Sequence, residues 1–214
     1  MIQLQELQRF CKNGRIILVG NSSRMLNHNY GKLIDGYDIV VRMNWGYRID
    51  SMYKQHIGEK TDIVSSGIKS ASFATSALNG NRVKYVICPI RYSDPLRYPN
   101  VYRCDNEDYD ILKNQLGGVK PSTGLCTFNF FHKHVEYRNL DVVGFDFFES
   151  SGDYRNEFGH MRVDDHRGHK EKEWFDTYAD ENKTYIHVLK EGGNMYDAGN
   201  IPRLKIKNYT KIRR

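Results

Sequence analysis

Two short turns carry the residue types that hold an anionic ligand. In Arg15-Ile-Ile-Leu-Val-Gly-Asn-Ser-Ser23 an apolar run ends in Gly20, Asn21 and Ser22; in Lys120-Pro-Ser-Thr-Gly-Leu125 the small residues Ser122, Thr123 and Gly124 open a second apolar stretch. Such turns present backbone N–H groups and short hydroxyl or amide side chains, a setting suited to a nucleotide phosphate. One turn of this kind ends strands in many α/β proteins, but two in a chain of 214 residues predict one shared nucleotide site. A third segment, Asp164-Asp-His-Arg-Gly-His169, sets His166 and His169 at the mouth of a predicted helix. Histidine exchanges protons near neutral pH and so can serve as a general base.

The elements that must position these residues follow from the hydrophobic pattern. Helices are expected over about 3–12, 69–78, 105–116, 123–136 and 170–180, with strands at 15–19, 38–43, 61–65, 83–88, 140–145 and 184–189. Strands alternating with helices predict a single-domain, Rossmann-like α/β fold over residues 1–214, a mostly parallel sheet with helices on both faces. Three strands then deliver Asn21, Asn44 and Asp146 to their carboxyl ends, where open α/β sheets bind ligands. Asn44 also reads as a strand-end cap, and Ser122 or Thr123 as the N-cap of the helix behind it. The long polar segment 146–168 reads as an active-site loop or lid.

Several of these stretches are similar to a known family. Ile17-Leu-Val-Gly-Asn-Ser22, then Ile34-Asp-Gly-Tyr-Asp-Ile-Val-Val-Arg-Met-Asn44 and Gly58-Glu-Lys-Thr-Asp62, resemble the long "sialylmotif L" of animal-type (family 29) sialyltransferases. Pro121-Ser-Thr-Gly124 with its helix and Val142-Val-Gly-Phe145 resemble the short "sialylmotif S". Gly144-Phe-Asp-Phe-Phe148, Tyr154 and Gly168-His169 resemble the bacterial family 42 sialyltransferases. The resemblance implies a GT-A-like sialyltransferase variant that moves a sugar, sialic acid or a related keto-sugar, from a pyrimidine-nucleotide donor, most simply a CMP-sugar, to an acceptor hydroxyl such as a glycan's, by inverting attack without metal or other cofactor.

The resemblance also implies roles. Asn21 and Ser22 would hold phosphate and ribose, Asn44 base or ribose, and Ser122, Thr123 and Gly124 would bracket the nucleotide from the other side, with Asp146 at the end of the third strand. The histidine before the 170–180 helix, His169, would be the base. The His-x4-Glu pattern of the animal-type enzymes picks His166 with Glu171 instead. Tyr154 would stabilise the leaving phosphate; the companion tyrosine of family 42 falls on Phe148, which has no hydroxyl to donate, leaving His160, His166, Arg155 or Arg162 to share that work.

Composition bounds the alternatives. The chain is long enough for a core without disulfides, and Cys11, Cys88, Cys104 and Cys126 show neither zinc nor disulfide spacing. The strand into Asn21 lacks the cysteine through which the animal-type family joins its two motifs. Residues 1–10 read as an amphipathic surface helix and no apolar run reaches membrane-spanning length, so the expectation is a cytoplasmic protein without a membrane anchor. Asp108-Tyr-Asp110 matches a metal-binding Asp-x-Asp pattern but falls inside a predicted helix, where i and i+2 point apart; Asp164-Asp165 is the better-placed acidic pair. The net charge of +6, with a basic segment at 203–214, admits a second reading: a phage or bacterial enzyme that glycosylates a hydroxymethylated base in duplex DNA from a UDP-sugar. A third reading, a non-catalytic nucleic-acid-binding module, would use Trp45, Tyr47 and Tyr53 as stacking surfaces.

Overall fold

A computed structural model describes residues 3–67, 71–79, 83–90, 100–148, 168–178, 184–187 and 203–204. The strands are β1 (Arg15–Val19), β2 (Ile39–Met43), β3 (Ile63–Ser65), β4 (Tyr85–Cys88), β5 (Val101–Arg103), β6 (Asn139–Val143), β7 (Thr184–His187) and β8 (Arg203–Leu204). They form one sheet in the order β5-β4-β3-β2-β1-β6-β7-β8, parallel throughout except for the final β7–β8 pair. The central strands are buried on both faces, which is why Ile16–Val19 of β1 and Ile39–Val41 of β2 read as continuous Ile/Leu/Val runs and not as alternating ones.

The helices are α1 (Leu4–Cys11), α2 (Gly31–Asp35), α3 (Lys54–Ile57), α4 (Ala71–Asn79), α5 (Asn106–Gln115), α6 (Thr123–His134) and α7 (Gly168–Tyr178). On one face Leu7 of α1, Leu112 of α5, Phe128 and Phe131 of α6, and Trp174 and Phe175 of α7 pack on Ile16, Leu18, Val41, Leu140 and Val142. On the other, Ile34 of α2 and Ile57 of α3 cover Ile17 and Val40, while Phe73 and Ala77 of α4 cover Val64 and Val86. The two faces take alternate residues of each strand, as a pleated ribbon requires.

The chain lays β2 to β5 on one side of β1 and then returns to lay β6 on the other. The crevice at the carboxyl ends of β1 and β6 is therefore the topological switch point, the place where doubly wound sheets bind ligands. The expected α/β architecture is the observed one. It departs from expectation in its small elements: α2, α3, β5 and β8 are too short to impose a periodicity, and α7 starts at Gly168, so His169 lies inside the first turn and not ahead of it.

Arg42 of β2 is fully buried, and its guanidinium donates to the carbonyls of Ile57 (2.6 Å) and Lys60 (3.0 Å) and to Thr61 Oγ1 (3.0 Å). Asp35 accepts the N–H groups of Glu59 and Lys60, and Asp62 accepts that of Val40. The Gly58–Asp62 stretch thus acts as a brace that sets β3 beside β2. Of the predicted loop at 146–168, residues 149–167 lie outside the described residues, and with them Tyr154, His160, Asp164, Asp165 and His166. So do residues 205–214 of the basic segment. Among the described residues, no helix is long and apolar enough to cross a membrane.

Candidate active site

At the switch point the β1 and β6 turns interlock. Gly20 N–H donates to Val143 O (2.8 Å) and Ser22 N–H to Gly144 O (3.2 Å), carrying the ladder past the strand ends. A side chain at Gly20 would run into the Gly144 carbonyl, and Gly144 itself has φ +73°, a conformation that favours glycine. Ser22 Oγ donates to Asp146 Oδ2 (2.8 Å) and accepts the Arg24 N–H (3.2 Å), capping a 3-10 turn at Ser23–Asn27. Asp146 Oδ1 accepts the Phe148 N–H (3.2 Å) beneath two consecutive left-handed residues, Phe147 at φ 52° and Phe148 at φ 65°. Ser22 and Asp146, both expected to meet the donor, thus bind each other across the seam.

Asn21, the residue before Ser22, has a different pattern. Its Nδ2 donates to Met43 O (3.3 Å), while its Oδ1 is buried and accepts no hydrogen bond among the described residues. Asn44, in left-handed conformation at φ 49°, accepts the Gly67 N–H (2.9 Å) and the Ser66 hydroxyl (3.4 Å) on Oδ1. It is the strand-end cap the sequence suggested, and it turns the chain at the end of β2.

The second turn meets the first through shared neighbours. Ser122 is the N-cap of α6, its Oγ accepting the Leu125 N–H (3.2 Å). Its own N–H and hydroxyl donate to Glu171 Oε1 and Oε2, each at 2.6 Å. The amides of Thr123 and Gly124 follow in the first helical turn, where no intrahelical acceptor exists. A Cβ on Gly124 would stand 2.6 Å from the Phe145 ring, and one on Gly20 2.8 Å from the same ring. A Cβ on Gly67 would stand 2.6 Å from Thr123 Oγ1 and 3.9 Å from Asn44 Oδ1. Asn21, Asn44, Thr123 and Gly124 therefore converge on one crevice. His169 is exposed on α7, whose first residue, Gly168, abuts the Phe147 carbonyl.

Other expected features resolve into packing. Asp108 of the Asp-x-Asp pattern lies within α5 and is spent on α6, accepting from His134 Nε2 (2.5 Å) and Lys133 Nζ (3.1 Å). Partial burial pushes its carboxyl up, but these two hydrogen bonds outweigh it and leave Asp108 below the usual range. Trp45 and Tyr47 pack on Phe73, with the Arg48 guanidinium 4.1 Å from the Trp45 ring, and Tyr53 is half-buried; the three rings do not form an open stacking surface. All four cysteines are free, and burial pushes the Cys11 thiol up to about 12 and those of Cys104 and Cys126 well above the ordinary value. Among the described residues no group of three His, Cys, Asp or Glu side chains is set to hold a metal ion.

Glu171, Phe145 and Gly67 shape the crevice without having been singled out as donor contacts. Glu171 was visible only as half of the His-x4-Glu pattern.

Residues 7–102 match the family model of glycosyltransferase family 29 (sialyltransferase). Sialyltransferase-like protein 2 of Arabidopsis thaliana is 27% identical over 135 residues, 62% of this chain and 30% of that protein. Sialyltransferase-like protein 3 of Oryza sativa subsp. indica is 41% identical over 46 residues, 22% of this chain and 12% of that protein. The matches thus span less than a third of these relatives' own length. Two crystal structures of a mammalian sialyltransferase share the fold at 19% identity. One, in complex with Gal-beta-1-3GalNAc-ortho-nitrophenol, gives a TM-score of 0.53 over 82% of this chain and 69% of that one; the other gives 0.55 over 86% and 71%. In sequence over its N-terminal half, and in fold over most of its length, the chain is sialyltransferase-like.

Proposed function

We propose that the chain is a glycosyltransferase that displaces CMP from a CMP-sugar, sialic acid or a related keto-sugar, by in-line inverting attack of a glycan hydroxyl. The observation that supports this reading best is the polarity of the switch-point crevice, with one buried, unused acceptor beside two helix-terminal amide donors. Phosphate oxygens only accept, so Asn21 Oδ1 suits a ribose hydroxyl and the Thr123 and Gly124 amides suit the phosphate. This divides the donor between the two turns.

Negative charge grows on that phosphate as the glycosidic bond breaks, and fixed amides favour it in the transition state. The acceptor hydroxyl loses its proton as it attacks; His169, on the turn that abuts Phe147, is the proposed base, with His166 its rival. Ser22 and Asp146 hold the seam. No divalent ion enters the proposal, because Asp108 is committed to α6 and its helical neighbour at i+2 faces elsewhere.

Thermal shift with CMP and UDP tests it. A ligand that binds only the folded chain raises its melting point by mass action, so CMP at millimolar concentration should raise it and UDP should do so less. Asn21→Ala should weaken CMP by roughly 3- to 10-fold, the worth of one neutral hydrogen bond. If neither nucleotide moves the melting point, the transferase reading fails.

A further inference from the structure

We infer that Glu171 is a positioning residue that locks the base-bearing helix α7 to the donor turn at Ser122. The inference rests on the proposed transferase function, and it gives α7 a defined register against the nucleotide.

Glu171 is 2% exposed, and both its carboxylate oxygens are engaged at 2.6 Å, Oε1 by the Ser122 N–H and Oε2 by the Ser122 hydroxyl. It sits in the first turn of α7 and at the N-cap of α6. The positive ends of two helix dipoles therefore converge on one carboxylate, which is the charge they favour. His169 is two residues ahead of it on the same helix, so a shift of α7 against Ser122 also shifts the proposed base against the Thr123 and Gly124 amides. The carboxylate also excludes donor phosphate from the Ser122 amide by like charge and by occupancy. Phosphate is thereby confined to the next two amides of the turn, which sharpens where the leaving group sits.

The rest of α7 has its own anchors. Trp174 Nε1 donates to Gln115 Oε1 (2.8 Å), Lys170 Nζ to Leu116 O (3.4 Å), and the Phe175 ring lies 4.3 Å from that of Phe128. Loss of the Glu171 contact should thus leave the helix docked but free in register.

The test uses the full chain with CMP binding by calorimetry and hydrolysis of CMP-N-acetylneuraminic acid as readouts. Glu171→Ala should lower kcat by roughly 10- to 100-fold, the cost of a misplaced catalytic group, while CMP affinity changes less than about 3-fold. Glu171→Gln, which keeps the shape and one acceptor, should recover part of that loss. Ser122→Ala and Glu171→Gln should be non-additive in kcat, since both weaken the same two-point contact. Unchanged kcat in Glu171→Ala, or equal losses of kcat and CMP affinity, would overturn the positioning role. Failure of the unaltered chain to bind CMP would instead overturn the transferase reading on which it rests.

Discussion

His169 is exposed in the first turn of α7, and its role depends on which histidine faces the acceptor. A general base contributes in the transition state and little to donor binding, so His169→Ala should lower kcat by roughly a hundredfold to ten-thousandfold with CMP affinity unchanged. If His166→Ala is the dead variant and His169→Ala turns over normally, the base belongs to the His-x4-Glu pattern instead. At this scale the polar strand ends were legible, because a polar residue directly after an apolar run in an α/β chain has few other places to go. Asn21, Asn44 and the Ser122 cap are where that logic puts them. What the sequence does not display is which polar atom is already spent. Ser22 and Asp146 are far apart in the chain and became partners only through β1–β6 pairing, and Ser122 is held by a glutamate 49 residues away.

Elements carry the next level of control. Between α5 and α6, Asp108 is clasped by His134 and Lys133, and its carboxyl lies below the ordinary value of 3.8. A carboxylate with a depressed folded-state pKa contributes stability that is complete above the unfolded value and is lost as pH falls through the folded one. Asp108→Asn should therefore melt earlier than the unaltered chain at pH 6, and the gap should close as the pH falls below 3.8 and through the lower folded-state value. A gap that persists at low pH would assign the effect to packing. The long elements were readable because each has a full face to bury: Leu125, Phe128 and Phe131 of α6 lie on the sheet, and the Asp105 side chain caps α5 by accepting the Glu107 N–H. The one-turn helices α2 and α3 were not, because their conformation comes from tertiary contact. Gly31 of α2 lets the backbone of α3 approach so closely that a Cβ there would strike the Lys54 carbonyl, and no local propensity announces that.

For the whole molecule the open question is the acceptor, and charge separates the candidates. The net charge is +6, and residues 203–214 hold six Lys or Arg with no Asp or Glu, so residues 1–202 are formally balanced. Several charges of the described body are paired locally, as in Arg15–Asp38, Lys54–Glu59 and Lys172–Asp176. An enzyme that grips duplex DNA for chemistry needs cations around the site, and their binding weakens with salt at a slope of about −0.9 per phosphate neutralised. The glycan reading predicts that any retention of duplex DNA at 50 mM salt comes from the C-terminal segment alone. Its slope should be no steeper than about −5, and it should vanish by about 200 mM. Truncation after Leu204 should abolish that retention and leave CMP binding and donor hydrolysis unchanged, because the crevice is built from β1, β2, β6 and α6. Gel-shift titrations of the full and truncated chains, read beside donor turnover with and without DNA, decide the matter. Retention by the truncated chain, or donor turnover stimulated by DNA, would make the acceptor a nucleic acid.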